Sequence, residues 1–132
     1  MKLIILILLF SLRVFAPKED VLYLPEAPVI EPFKSLIYAV GKVECNFDTL
    51  AYNIKEQAAG YFQIRPIRVQ DYNNRTGSNL RPVDMFDYET AERVFLYFAH
   101  QIGPYDIERI ARNWNGKWSL TENYWKRIQA EL

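Results

Sequence analysis

Apolar residues recur at three-and-four spacing through most of the chain, the signature of helices with one buried face. Phe33, Leu36, Ile37 and Val40 form the first such stripe, and Pro32 suits the opening turn of a helix over 33–44. A second helix is expected from about Pro66 to Tyr72, ending in the polar cluster Asn73 to Gly77. Asp87 can cap a long helix to about Gln101, striped by Val94, Phe95, Phe98, Ala99 and Ile102 and closed by Gly103-Pro104. Ile107, Ile110, Ala111 and Trp114 mark another helix, stopped at Asn115-Gly116. Ser119 and Glu122 have capping-box spacing for a last helix carrying Leu120, Tyr124 and Ile128. Residues 46–57 read as loop, and 58–64 as a short compact segment ahead of Pro66. Alternation of period two is scarce, so no substantial sheet is expected and the fold class is mainly α.

One position breaks the first stripe. Continuing the helix past Val40 carries Glu44 onto the same apolar face. A carboxylate facing a core is costly when ionised, and the negative end of the helix dipole adds to that cost. Its pKa should therefore rise, which keeps a glutamic acid protonated near neutral pH and ready to act as a general acid. A helix that stops one turn earlier would instead leave Glu44 exposed.

The start of the chain has a different character. Lys2 precedes the run Leu3 to Phe10, too short for a comfortable membrane span, and Val14-Phe15-Ala16 follows. Residues 1–16 fit an export signal, although Pro17 would hinder cleavage after Ala16 and Arg13 is unusual so late. An uncleaved membrane anchor and a buried N-terminal element are the alternatives. Pro17, Pro25, Pro28 and Pro32 make 17–32 an extended tether, so the domain is expected to run over 33–132. Either leader reading places the domain outside the cytoplasm, in the periplasm or cell envelope, or on a virion.

With 132 residues there is room for one domain, and half of them are apolar, enough for a packed core. Sixteen basic and sixteen acidic residues balance without a basic block, which argues against nucleic acid as partner. Cys45 is the single cysteine and His100 the single histidine, so neither an internal disulfide nor a zinc site is expected. No metal or other cofactor is implied, and the chain is expected to act as a monomer.

Four segments in order then carry a resemblance. They are Val43-Glu44-Cys45-Asn46-Phe47, Ala59-Gly60-Tyr61-Phe62-Gln63-Ile64-Arg65-Pro66, Ala111-Arg112-Asn113-Trp114-Asn115-Gly116, and Thr121 to Ile128. Their order and spacing resemble the lysozyme-like soluble lytic transglycosylases, whose pattern is a helix-ending Glu-Ser, a Gly-Leu-Met-Gln-Ile-x-Pro segment, an Ala-Tyr-Asn-x-Gly turn and a closing helix with a Tyr. The resemblance implies a small lysozyme-like helical domain with a cleft for peptidoglycan strands. It also implies the chemistry. Glu44 would protonate the glycosidic oxygen between N-acetylmuramic acid and N-acetylglucosamine, then act as base while the sugar's 6-hydroxyl attacks the anomeric carbon. The product is a 1,6-anhydro end, and no water is consumed.

The same resemblance makes Gly60, Tyr61, Gln63, Trp114, Asn115 and Tyr124 candidate substrate-binding residues. A Gln offers both donor and acceptor to acetamido groups and hydroxyls. Trp114 stands where the family usually has a Tyr that reaches the acid; an indole N–H donates but cannot accept, so the acid's tuning should change. Tyr124 could contact Glu44 or sugar, or pack in the core. Phe62 reads as core, Tyr61 as either core or sugar platform, and Trp118 and Trp125 as possible stacking faces. Cys45 replaces the family's Ser and reads as a small buried residue. Asp48 and Glu56 are the nearby acids that could serve as a second carboxylate, as an ordinary glycosidase requires. That would make the protein a lysozyme-type hydrolase. A wall-binding structural part of a phage particle or transenvelope machine, with little turnover, is the reading of a different class.

Overall fold

A computed structural model describes residues 31–132. The expectations for the leader at 1–16 and for nearly all of the tether lie outside the described residues. Helix α1 spans Lys34–Cys45, β1 Tyr52–Asn53, β2 Ala58–Ala59, α2 Pro66–Thr76, α3 Tyr88–Ile102, α4 Ile107–Asn115 and α5 Glu122–Gln129. Short 3-10 helices at Pro82–Phe86 and Trp118–Leu120 join them. The domain is mainly helical, as the periodicity predicts. Among the described residues, no helix is long and apolar enough to cross a membrane.

Helix α1 runs one residue past its expected end because Asn46 and Phe47 both turn left-handed, with φ of 52° and 67°. Their N–H groups reach back to the carbonyls of Lys42 and Gly41, satisfying the helix's last acceptors. The expected face is the buried one: Phe33, Leu36, Ala39 and Val40 are all in the core. Glu44 thus occupies the final turn, and the earlier helix end is excluded.

Helix α3 is capped as anticipated, the Asp87 side chain accepting from the Thr90 N–H. Its stripe forms the centre of the molecule. Phe95 stacks on Phe62 at 4.7 Å and meets the edge of Trp114 at 4.9 Å. Each such fully buried ring contributes about 1.5–3 kcal/mol of transfer free energy. Helix α5 packs across α1 and α4, burying Tyr124 and Ile128.

Two boundaries differ from expectation. Helix α2 continues four residues beyond Tyr72, because the polar cluster bonds along the chain instead of breaking it. The Thr76 hydroxyl donates to the Tyr72 carbonyl, and the Asn73 side chain holds both the N–H and the carbonyl of Leu80. At the last helix, Thr121 rather than Ser119 takes the N-cap position, and no side chain caps it. The Thr121 hydroxyl instead accepts from Arg112, whose buried guanidinium also pairs with Glu108 and Glu122 and ties α4 to the start of α5. Leu120, displaced from the helix, is exposed.

The two strands pair antiparallel with Tyr52 opposite Ala59. Asn53 shapes the turn between them, its side chain accepting from the Lys55 and Glu56 N–H groups. Beyond β2 the chain doubles back so that Ala59 bridges Ile64. Gly60 lies inside that reversal at φ 75°, and a Cβ there would run into the Met85 carbonyl.

Candidate active site

Glu44, in the last turn of α1, is joined across 80 residues by Tyr124 of α5. The phenol donates to Glu44 Oε1 at 2.8 Å. One turn further along α5, Arg127 Nη2 donates to the Val43 carbonyl at 2.8 Å. Helix α5 therefore grips the end of α1 twice, once at the acid and once at the backbone beside it. The two contacts leave the carboxyl a fixed position relative to α5.

Burial pushes the Glu44 pKa up from 4.5 to about 7. The Tyr124 hydrogen bond and the charges of Arg127 and Arg65 pull it down, while the charge of Glu56 adds to the rise. Tyr124 itself is held well above the usual phenol range by burial and by the facing carboxyl, so it remains a donor. A carboxyl with pKa near ambient pH can give a proton in one step and take one in the next. Replacing Tyr124 by Phe removes a lowering contribution. We expect the Glu44 pKa to rise by about one unit, the worth of one hydrogen bond to a charged group. A carboxyl-carbon NMR titration reads that shift directly.

The other candidates fall into two groups. Gln63 faces a groove of about 470 Å³ whose walls include Arg65, Ile67, Arg68, Asn74 and Trp114. Its side-chain amide is locked by donation to the carbonyls of Gly60 and Ala51, at 2.9 and 3.2 Å. Gln63 takes φ 47°, a left-handed backbone that these two bonds help to hold. Asn115 closes α4, and its carbonyl accepts from Arg65 Nη2 at 2.9 Å. Glu44 is not in the lining of this groove; Arg65, which acts on the acid through its charge, connects the two.

Tyr61, Gly60 and Trp114 are engaged within the fold, and Trp114 also lines the groove. Tyr61 is buried, its ring seated over Gly41 and its hydroxyl donating to the Ile37 carbonyl at 3.3 Å. Gly60 approaches Met85 and the 3-10 helix. The Trp114 indole donates to the Phe62 carbonyl at 3.0 Å, so it steadies the 58–64 segment while its ring forms groove wall. Tyr124 supplies the acid's hydrogen bond instead. Trp125 packs against the core and Phe62 lies within it. The Trp118 side chain lies outside what is described.

Asp48 and Glu56 also separate. Asp48 folds onto the Leu50 N–H in a tight turn. Glu56 sits in the hairpin turn 3.9 Å from Arg65, and its charge reaches Glu44. Cys45 is half-buried with its sulfur near the carbonyls of Gly41 and Tyr61, and burial raises its pKa.

Arg65 and Arg127 are site residues that the motif comparison passed over. Arg127 had a usable signal: it is three residues from Tyr124 on one helix face, and cations favour a helix C-terminus. Among the described residues, no group of three His, Cys, Asp or Glu side chains could hold a metal ion. Comparison with known proteins gives no matching family model, no matching curated protein and no matching solved structure.

Proposed function

We propose that the protein is a peptidoglycan lytic transglycosylase of lysozyme-like fold, with Glu44 as its acid and base. The observation that carries this reading is the half-buried carboxyl at the end of α1, held by Tyr124 and pushed up by its burial to a pKa of about 7. In its neutral form Glu44 donates its proton to the glycosidic oxygen as the bond to the anomeric carbon breaks. The resulting carboxylate then accepts the proton of the same sugar's 6-hydroxyl as that oxygen bonds to the anomeric carbon. The proton is returned, the products are one free 4-hydroxyl end and one 1,6-anhydro end, and Glu44 finishes as it began. Neither water nor a second carboxylate is consumed by this cycle. In this reading Gln63, whose side-chain oxygen remains to accept, meets the strand's acetamido and hydroxyl groups from the groove wall, and Asn115 at the end of α4 does the same.

The charge of Glu56 on Glu44 favours one specific rival, a hydrolase in which Glu56 assists water or the oxocarbenium ion. Glu56 lies 3.9 Å from Arg65, whose charge also acts on Glu44. Asp48 has no such support. Mass spectrometry of fragments released from purified sacculi by the full chain separates these readings. Anhydro ends are expected; reducing ends would transfer the assignment to the Glu44–Glu56 pair. Tight sacculus binding without soluble fragments would leave a structural wall-binding protein.

A further inference from the structure

Arg68 takes no part in the chemistry above, yet its setting is that of a prepared cation. It projects from the first turn of α2, its guanidinium carbon 4.7 Å from the Phe98 ring centre and 5.0 Å from that of Trp114. Nη2 donates to the Asn113 carbonyl at 3.2 Å, which fixes the plane of the group. Among the described residues it has no carboxylate within ion-pair distance. The neighbouring acid, Asp71, is bound to Arg75 at 2.7 Å. Burial draws its pKa below the ordinary guanidinium value, a sign of partial loss of water.

Its position is equally pointed. The 470 Å³ groove and a smaller depression of about 190 Å³ share Arg68, Asp71 and Trp114 as common lining. Arg68 therefore stands where the two meet. Arg65 adds a second positive charge to the larger groove, and Gln70 and Asn74 add polar groups.

We propose that Arg68 is the centre of a carboxylate-binding subsite, which holds a strand by an acidic group away from the bond that Glu44 breaks. The planar fork of Arg matches the two oxygens of a carboxylate, and its free edge still has donors to offer. Aromatic surface beneath the cation restricts its motion and displaces water, so less order has to be imposed on binding. The inference rests on the wall-glycan reading only for the nature of the strand. Two groups on such a strand carry a carboxylate: the lactyl group of a bare muramic acid, and the attached peptide.

The test uses the full chain carrying Glu44→Gln, so that nothing is cut and binding is read without turnover. Affinity is measured by co-sedimentation or titration for peptide-bearing glycan, for glycan stripped of peptide, and for chitin oligosaccharides, which have no carboxylate. Arg68→Met keeps the stem over the rings and removes the charge. We expect it to weaken the carboxylate-bearing strands about ten-fold and to leave chitin unchanged. A loss confined to peptide-bearing strands assigns the peptide carboxylate; a loss confined to stripped strands assigns the lactyl group, whose carboxyl is an amide wherever a peptide is attached; losses on both show that the subsite takes either carboxylate. An equal loss on chitin, no loss anywhere, or no binding of any strand by the parent overturns the subsite. Arg68→Lys guards against a folding defect: it retains the cation without the fork, and should show a smaller loss with the same order among ligands. Fragment release by the wild-type chain is a separate measurement, so this inference and the assignment of Glu44 can fail independently.

Discussion

Glu44→Gln should lower the release of soluble wall fragments about a thousand-fold while making the folded protein more stable above neutral pH. The first effect is the usual contribution of a positioned general acid and base. An amide can still accept the Tyr124 hydrogen bond, so the architecture remains while the transferable proton is lost. The second effect follows from linkage. Below pH 4.5 the carboxyl is protonated in both folded and unfolded chains, and folding is indifferent to it. Between 4.5 and 7 the unfolded chain gives up the proton while the folded chain keeps it, so stability falls as pH rises. Above 7 the full penalty is present, about 3 kcal/mol for a shift of this size. Glutamine never incurs it. Urea unfolding at pH 4 and pH 8 checks the sign: the variant should match wild type at the lower pH and exceed it at the higher. Equal differences at both would mean that Glu44 is charged throughout and solvated.

Gly60→Ala should cost about 4 kcal/mol, a large part of the stability of a domain this small. Two independent penalties combine there. A side chain at φ 75° costs about 1–2 kcal/mol, and forcing a methyl against the Met85 carbonyl costs about 1–3 more. Gly77 supplies the control. It has nearly the same backbone, φ 71°, but nothing within 4 Å of the site where a Cβ would stand. Gly77→Ala should therefore lose only the conformational part, about 1–2 kcal/mol. Denaturant midpoints of the two variants isolate the contact with Met85. Equal losses would show that Gly60 serves the turn alone.

These residues also show what could be read from the chain and what could not. Glu44 was visible because a carboxylate interrupts an apolar stripe whose period is well defined. Tyr124 was visible as a candidate, and burial alone could not distinguish its hydroxyl's partner from simple packing. For Trp114, residue type says nothing about where the indole N–H points; the Phe62 carbonyl takes it, while the ring lines the groove. The length of α2 was hidden because Asn73 and Thr76 are ordinary turn formers until their side chains find Leu80 and Tyr72. The capping-box spacing at Ser119 misled for a related reason, since Thr121 is held by a buried arginine nine residues earlier. Arg65, Arg68 and Arg127 act through carbonyls and ring faces that only the fold brings near.

The packing of Tyr61 on Gly41 has a bearing on how closely the 58–64 segment approaches the helix that carries the acid. The helix that carries the acid is shaved flat at one point, and a ring lies in the flat, drawing the hairpin in by the thickness of a side chain. The hairpin also carries Glu56 and leads to Gln63, so how closely both approach α1 depends in part on an atom that is missing. A methyl at position 41 would run into the Tyr61 ring and act as a shim, forcing that ring away from the rear of the helix.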